Sequence, residues 1–248
     1  MDKLVYVALF LNITILPLVA IEYPIRIGTL VPNDAVWPFA ARNILPAAEL
    51  AKAHVESEGI LNDTFNLVIL NRDSNCSDRL GMKEAINFFI EDKINAFFGP
   101  TCDFVAAPVA RQVTFWNLPM LSIGAMALDF RDRKNQVYPL LTRVGSTNLH
   151  TLAFGLAEIF REVPKRSPHS WHKIKMLYDR KAWSHINPEF CHLATSSIVY
   201  SIGDVPNTTI ELDYYKLSHG VPTEEDIQSI LESEIGNEYA GKGKRTHF

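Results

Sequence analysis

Cysteine is scarce in this chain, with three in 248 residues, so neither a four-cysteine zinc site nor a disulfide-dense scaffold can be built from it. After residue 20 no stretch approaches the ~20 apolar residues of a membrane-spanning helix. Positive charge is not in excess either. Twenty-four Lys and Arg against 28 Asp and Glu leave a formal charge of −4, which gives no electrostatic reason to expect nucleic acid as a partner. The one basic cluster, Lys242, Lys244 and Arg245, reads as a solvated tail. Catalytic signatures are missing too: there is no G-x-S-x-G elbow, no G-x-x-x-x-G-K-[ST] loop and no H-E-x-x-H pair. His169 and His172 sit in a Pro-containing loop without a nearby third ligand. Cys191 and His192 are adjacent, and adjacent helical side chains diverge.

What is present describes an ordinary globular protein, 47% hydrophobic and 21% charged, long enough for one large domain or two modest ones. Leu4 to Ala20 is nearly all apolar behind Lys3, and the chain turns polar at Glu22. Residues 1–20 therefore read as a secretory signal peptide with Ala20 at the cleavage point, sending the chain to an oxidising, extracellular compartment. Three sequons fit that compartment, at Asn62, Asn75 and Asn207. With no later span, the chain as written is secreted.

Past the signal, strand and helix alternate. Ile25 to Val31 reads as a strand, Ala40 to His54 as a helix, Leu67 to Leu70 as a strand. Arg79 to Ile90 places Leu80, Ile86, Phe89 and Ile90 on one helical stripe. Ala96 to Phe98 is a short strand closed by Gly99-Pro100, Phe104 to Trp116 a helix, and Pro119 to Ser122 another strand. The rhythm breaks over Gly124 to Tyr138 and resumes with a strand at Leu140 to Val144 and a helix at His150 to Val163. A second series follows: strand Ile174 to Tyr178, helix Glu189 to Ile198, strand Thr208 to Tyr214, helix Glu224 to Glu234. This predicts an α/β protein with parallel sheets in two lobes, 21–147 and 148–235, followed by a disordered tail over 236–248.

The stretch GPTCDFVAAPVAR, residues 99–111, leaves two readings of Cys102. At a helix N-terminus the dipole stabilises a thiolate, the setting of many catalytic cysteines. Against that, Cys76 follows the second strand and Cys102 the third. Strands of a parallel sheet end on one edge, so the two loops are neighbours and a Cys76–Cys102 bridge is favoured.

The run FGPTCDFVAAPVARQVTFWNLPMLSIGAMALDF, Phe98 to Phe130, resembles the ligand-binding ectodomain of natriuretic peptide receptors and related receptor guanylate cyclases. DSNCSD at 73–78 and LLTRVGST at 140–147 are similar to that family's first-cysteine loop and lobe crossing, and the resemblance covers roughly 24–234. It implies a type I periplasmic-binding-protein-like fold whose second lobe is incomplete here. It also implies a peptide-hormone-binding function, with no enzyme in this region and homodimerisation through the first lobe. The family's first disulfide falls on Cys76 and Cys102. A bound chloride is implied, held by the Ser74 hydroxyl and the amides of Thr101 and Cys102, with no other cofactor. Peptide-contact positions carry over to Asp78, Phe104 (where tyrosine is usual), Arg111 and Tyr178. His192, Leu193 and Ser196 depart from the family's aromatic and acidic contacts. The resemblance ends before the strand that would supply a partner for Cys191, which leads us to expect a shortened receptor without a membrane span. A full-length receptor of this kind would sit in the plasma membrane. The same fold binding a small amino-acid-like ligand, and a non-functional receptor fragment, are the alternatives.

Overall fold

The computed structural model describes residues 23–62, 64–145, 148–166, 173–204, 210–217 and 222–236. The signal sequence, the Asn207 sequon, His169, His172 and the tail from 237 lie outside the described residues.

β1 (Tyr23–Val31) is a nine-residue strand rich in β-branched and aromatic residues, and it lies second from one edge of a five-stranded parallel sheet. β2 (Phe65–Asp73) pairs with it along its whole length, and β3 (Ala96–Phe98) lies on its other side. β4 (Met120–Ser122) and β5 (Leu141–Arg143) extend the sheet in the order β2-β1-β3-β4-β5. The crossovers are α1 (Ala41–Ser57), α2 (Asp78–Asn87) and α3 (Asp103–Trp116). Between β4 and β5 the irregular segment contains two single-turn helices, α4 (Asp129–Asp132) and α5 (Lys134–Val137).

α2 and α3 cover one face of this sheet, and the core lies there: Leu30, Phe88, Phe97, Val105, Val109 and Met120 are all sealed from solvent. The stripe that α2 buries differs from the one the sequence suggests. Gly81, Ala85 and Phe88 face inward at i, i+4 and i+7, while Ile86, Phe89 and Ile90 point outward. The reason is steric. A Cβ on Gly81 would stand 2.1 Å from Val105 Cγ1, so only glycine lets α2 and α3 approach this closely. The end of α2 then widens into a π-turn, Phe88–Asp92, which carries Phe88 down against Gly28 of β1.

The second series is smaller. α6 (Leu149–Arg166) leads to β6 (Lys173–Tyr178), α7 (Phe190–Gly203), β7 (Glu211–Lys216) and α8 (Glu224–Ile230), which ends in a π-turn at Leu231–Ile235. β6 and β7 form a parallel two-stranded sheet. Its apolar cluster centres on Ala157 and Ile202, with Phe160, Ile198, Ile210 and Leu212 packed around them. Two strands offer little area to bury, and this core is accordingly thin. The two series meet where α6 and α7 pack beside the α4 segment: Leu149 N donates to Met126 O at 3.2 Å and the Arg131 guanidinium contacts the His150 ring. Among the described residues no helix is long and apolar enough to cross a membrane.

Candidate functional site

All five strands of the large sheet run the same way, so their C-terminal ends and the loops that follow share one rim. In open parallel α/β sheets that edge is where ligands bind. On it Cys76 and Cys102 are joined in a disulfide, Cα to Cα 5.5 Å, reaching past the end of β1. The bridge closes the thiolate reading of Cys102. Cys191 is the free cysteine, and burial raises its thiol pKa, with the nearby Asp179 adding to the rise.

The disulfide ties together the N-terminal turns of α2 and α3. Ser77 caps α2 by accepting from Leu80 N at 3.4 Å, which fixes the exposed Asp78 at the helix's first position. Phe104, in the first turn of α3, is 40% exposed. Asp78 and Phe104 thus stand on adjacent helix ends at the same rim. Arg111 lies two turns further along α3, where its Nη2 donates to Tyr138 Oη at 3.0 Å and its guanidinium covers the Tyr138 ring. Tyr138 in turn donates to Asp129 at 2.5 Å. Arg111 is thus held in place by Tyr138 while it stays exposed to solvent. Tyr178 ends β6 in the second series, with its hydroxyl 3.1 Å from His192 Nδ1 and its ring beside Tyr214. Asn62 and Asn75 are exposed.

Ser74 is fully buried, and its Oγ has no hydrogen-bond partner. The amides of Thr101 and Cys102 donate to no backbone acceptor among the described residues. An orphaned buried hydroxyl, on a loop that the disulfide ties to open amides at a helix start, supplies donors of the kind that fit a small anion.

Sequence reasoning passed over Asp103. As the first residue of α3 it has the pattern of an exposed helix-dipole partner, yet it is buried. Its carboxylate accepts from Met126 N at 2.8 Å and Ala127 N at 3.1 Å, pinning the β4–α4 loop over the rim. Gly124 permits this: a Cβ there would fall 2.0 Å from the Thr101 carbonyl oxygen. The Asn187 amide, from the loop between β6 and α7, reaches the same carboxyl. Burial pushes the Asp103 carboxyl up to about 6, against the opposing pull of these donors. Below the ordinary carboxyl value both states hold the proton. As pH rises from about 4 to 6 the unfolded chain releases it first, so stability falls, and above 6 the loss is complete. The loss reaches about 3 kcal/mol. Asp103→Asn should remove this component, so the difference in urea midpoint between variant and wild type narrows or reverses as pH rises from 4 to 7. A pH-independent difference would count against it.

Behind the rim, between α1 and the sheet face opposite the core, lies a cavity of about 240 Å³ lined by Thr29, Val31, Ile44, Phe98, Leu121 and Val144, among others. Among the described residues no charged side chain lines it. Among the described residues no cluster of metal-binding side chains occurs.

A two-lobed α/β arrangement with its site on the strand rim is that of the periplasmic-binding-protein class, and solved structures agree. An ABC transporter substrate-binding protein from Desulfitobacterium hafniense superposes with a TM-score of 0.59 at 16% identity, covering 85% of this chain and 55% of that one. The branched-chain amino acid binding protein LivJ of Streptococcus pneumoniae gives 0.55 at 16% identity, over 86% of this chain and 55% of its own. More specifically, residues 43–186 match the family described as the receptor family ligand binding region, and the chain belongs to that family. Atrial natriuretic peptide receptor 3 of Rattus norvegicus is 32% identical over 160 residues, 62% of this chain and 28% of that receptor. The receptor-type guanylate cyclase gcy-8 of Caenorhabditis elegans is 25% identical over 138 residues, 56% of this chain and 11% of its own. The chain thus spans under a third of the length of these curated relatives.

Proposed function

We propose that this chain is the hormone-capturing part of an extracellular natriuretic-peptide-type receptor, non-catalytic in itself, with lobes at 21–147 and 148–235. The observation that carries this is the disulfide-tied rim, which presents Asp78 and Phe104 from two adjacent helix ends within the family match. Arg111 and Tyr178 complete the proposed peptide contacts, and Ser74 with the amides of Thr101 and Cys102 holds a chloride that stiffens the rim. Glycans sit on Asn62, Asn75 and Asn207, and the outer residues Ile86, Ile90 and Phe115 give a second copy an apolar surface on α2 and α3. A small amino-acid ligand is the less favoured reading, because the cavity's lining offers its α-ammonium no carboxylate partner.

The test is calorimetric titration of the full, glycosylated chain with atrial natriuretic peptide, in chloride and in chloride-free buffer. Saturable binding is expected, about tenfold or more weaker for Phe104→Ala, and weaker for wild type without chloride. A folded sample that binds no natriuretic peptide would sink the receptor function, while affinity indifferent to chloride would sink the anion site alone. Sedimentation with and without peptide reads the dimer.

A further inference from the structure

The loop from Asp179 to Glu189 is built of stacked turns that bond to one another. Asp179 accepts from Lys181 N at 2.8 Å and from Ala182 N at 3.3 Å. Ser184 N donates to Lys181 O at 3.2 Å, and Ile186 N to Trp183 O at 2.8 Å. An Arg180–Glu189 ion pair closes the loop at its base. Such a loop is stiff.

At its apex Trp183 has φ +60°, a left-handed conformation that a bulky side chain adopts at a cost of about 1 kcal/mol or more. The indole gains little burial in exchange. It is 57% exposed, with the His185 ring beside it, centroids 5.4 Å apart. Strain at a side chain left mostly in solvent, on a loop of stacked turns, points to a residue placed for something outside the chain.

The place is set by Asn187, four residues on. Its side chain is buried, yet among the described residues neither Nδ2 nor Oδ1 has a hydrogen-bond partner, and its neighbour is the Asp103 carboxyl of the other lobe. Asp103 directly precedes Phe104. The buried foot of the loop therefore lies against the same helix end that presents the exposed aromatic of the rim. A large aromatic of low conformational entropy on a rigid mount is the residue type that dominates binding energy at protein interfaces.

We propose that the 179–189 loop is a ligand-specificity element, with Trp183 contacting an apolar or aromatic side chain of the bound peptide and Asn187, seated on Asp103, as its positioning residue. This rests on the peptide-receptor function above. The full glycosylated chain is titrated with atrial natriuretic peptide as wild type, Trp183→Ala and Trp183→Phe. Trp183→Ala should weaken binding about tenfold or more, Trp183→Phe less, and the melting temperature should move by no more than about 2 °C, because the indole is largely solvated. Asn187→Ala should weaken binding similarly, and the exchanged pair Asp103→Asn with Asn187→Asp should recover affinity by restoring an amide facing a carboxyl. If wild type binds and Trp183→Ala binds equally, the specificity element is overturned and the receptor function stands. If folded wild type does not bind at all, both fall. Failure of the exchanged pair to recover affinity overturns the positioning role of Asn187.

Discussion

Cys76→Ser should lower the unfolding free energy by about 3.5 kcal/mol, the chain-entropy value for releasing a closed loop of this size. The two cysteines are 26 residues apart, and the loop between them holds β2's exit, all of α2, the π-turn and β3. Without the bridge the unfolded chain regains the freedom of that whole segment. The folded chain loses the tie between the starts of α2 and α3, and Cys102 keeps a thiol sealed in the core. For a chain of this size the loss corresponds to a fall in melting temperature of roughly 10 °C. Thermal unfolding followed by circular dichroism reads it directly, and wild type held in reductant should melt where Cys76→Ser does. A variant that melts with oxidised wild type would mean the bridge constrains nothing beyond what α2–α3 packing already fixes. Because Asp78 and Phe104 flank the bridge, peptide affinity should fall in the same variant even below its melting range.

The alternation of strands and helices was readable because each strand is a short β-branched or aromatic run bounded by Pro, Gly or Asp, and each crossover carries helical periodicity. The disulfide was readable for a topological reason: parallel strands deliver the loops after β2 and β3 to one edge whatever the side chains do. What could not be read depends on contacts between segments far apart in sequence. Periodicity nominated Ile86, Phe89 and Ile90 as the buried side of α2, because it ranks residues by hydrophobicity. The true interface is chosen by Gly81, the residue with least hydrophobic surface, since helix approach at Val105 is limited by volume. Asp103 shows the same limit for the site. An acidic residue in a helix's first turn is ordinarily a solvated dipole partner, and nothing near it in sequence announces that residues 124–127 fold over it. Asn187 precedes a proline, which marks a turn, but its burial depends on the other lobe. Tyr178 and Arg111 were picked by resemblance, and their partners His192 and Tyr138 emerged only with the fold.

Arg72→Ala should cost about 3 kcal/mol or more, although Arg72 is not itself one of the ligand contacts proposed here. One guanidinium holds three carboxylates: Nε meets Asp92 at 2.9 Å, Nη1 meets Glu84 at 3.0 Å and Nη2 meets Glu91 at 2.8 Å. It also lies over the Phe88 ring, 5.4 Å from the centroid, and so joins β2 to α2 and to the π-turn. The three pairs are not equal. Glu91 is largely solvated, and its pair contributes little. Glu84 and Asp92 are mostly shielded, and removing Arg72 strips Asp92 of this counter-charge and leaves Glu84 to the exposed Lys83, the situation that makes a broken shielded pair expensive. Burial alone would raise the Glu84 carboxyl, but its bonds to Arg72 and Asn87 outweigh burial and hold it below the usual carboxylate value. Its stabilising share is therefore present above the unfolded-state value and lost as pH falls through the lowered one, so the penalty of Arg72→Ala should shrink towards acid. Lysine should not rescue, because one ammonium cannot face three carboxylates spread around a planar fork. Urea unfolding of Arg72→Ala and Arg72→Lys at pH 7 and pH 3 separates these contributions. A loss under about 1 kcal/mol at pH 7 would show the cluster to be an ordinary solvated surface network. A loss that persists undiminished at pH 3 would assign the energy to the contact with Phe88, whose burial against Gly28 sets the widened end of α2 and with it the position of β3 and the Cys102 rim.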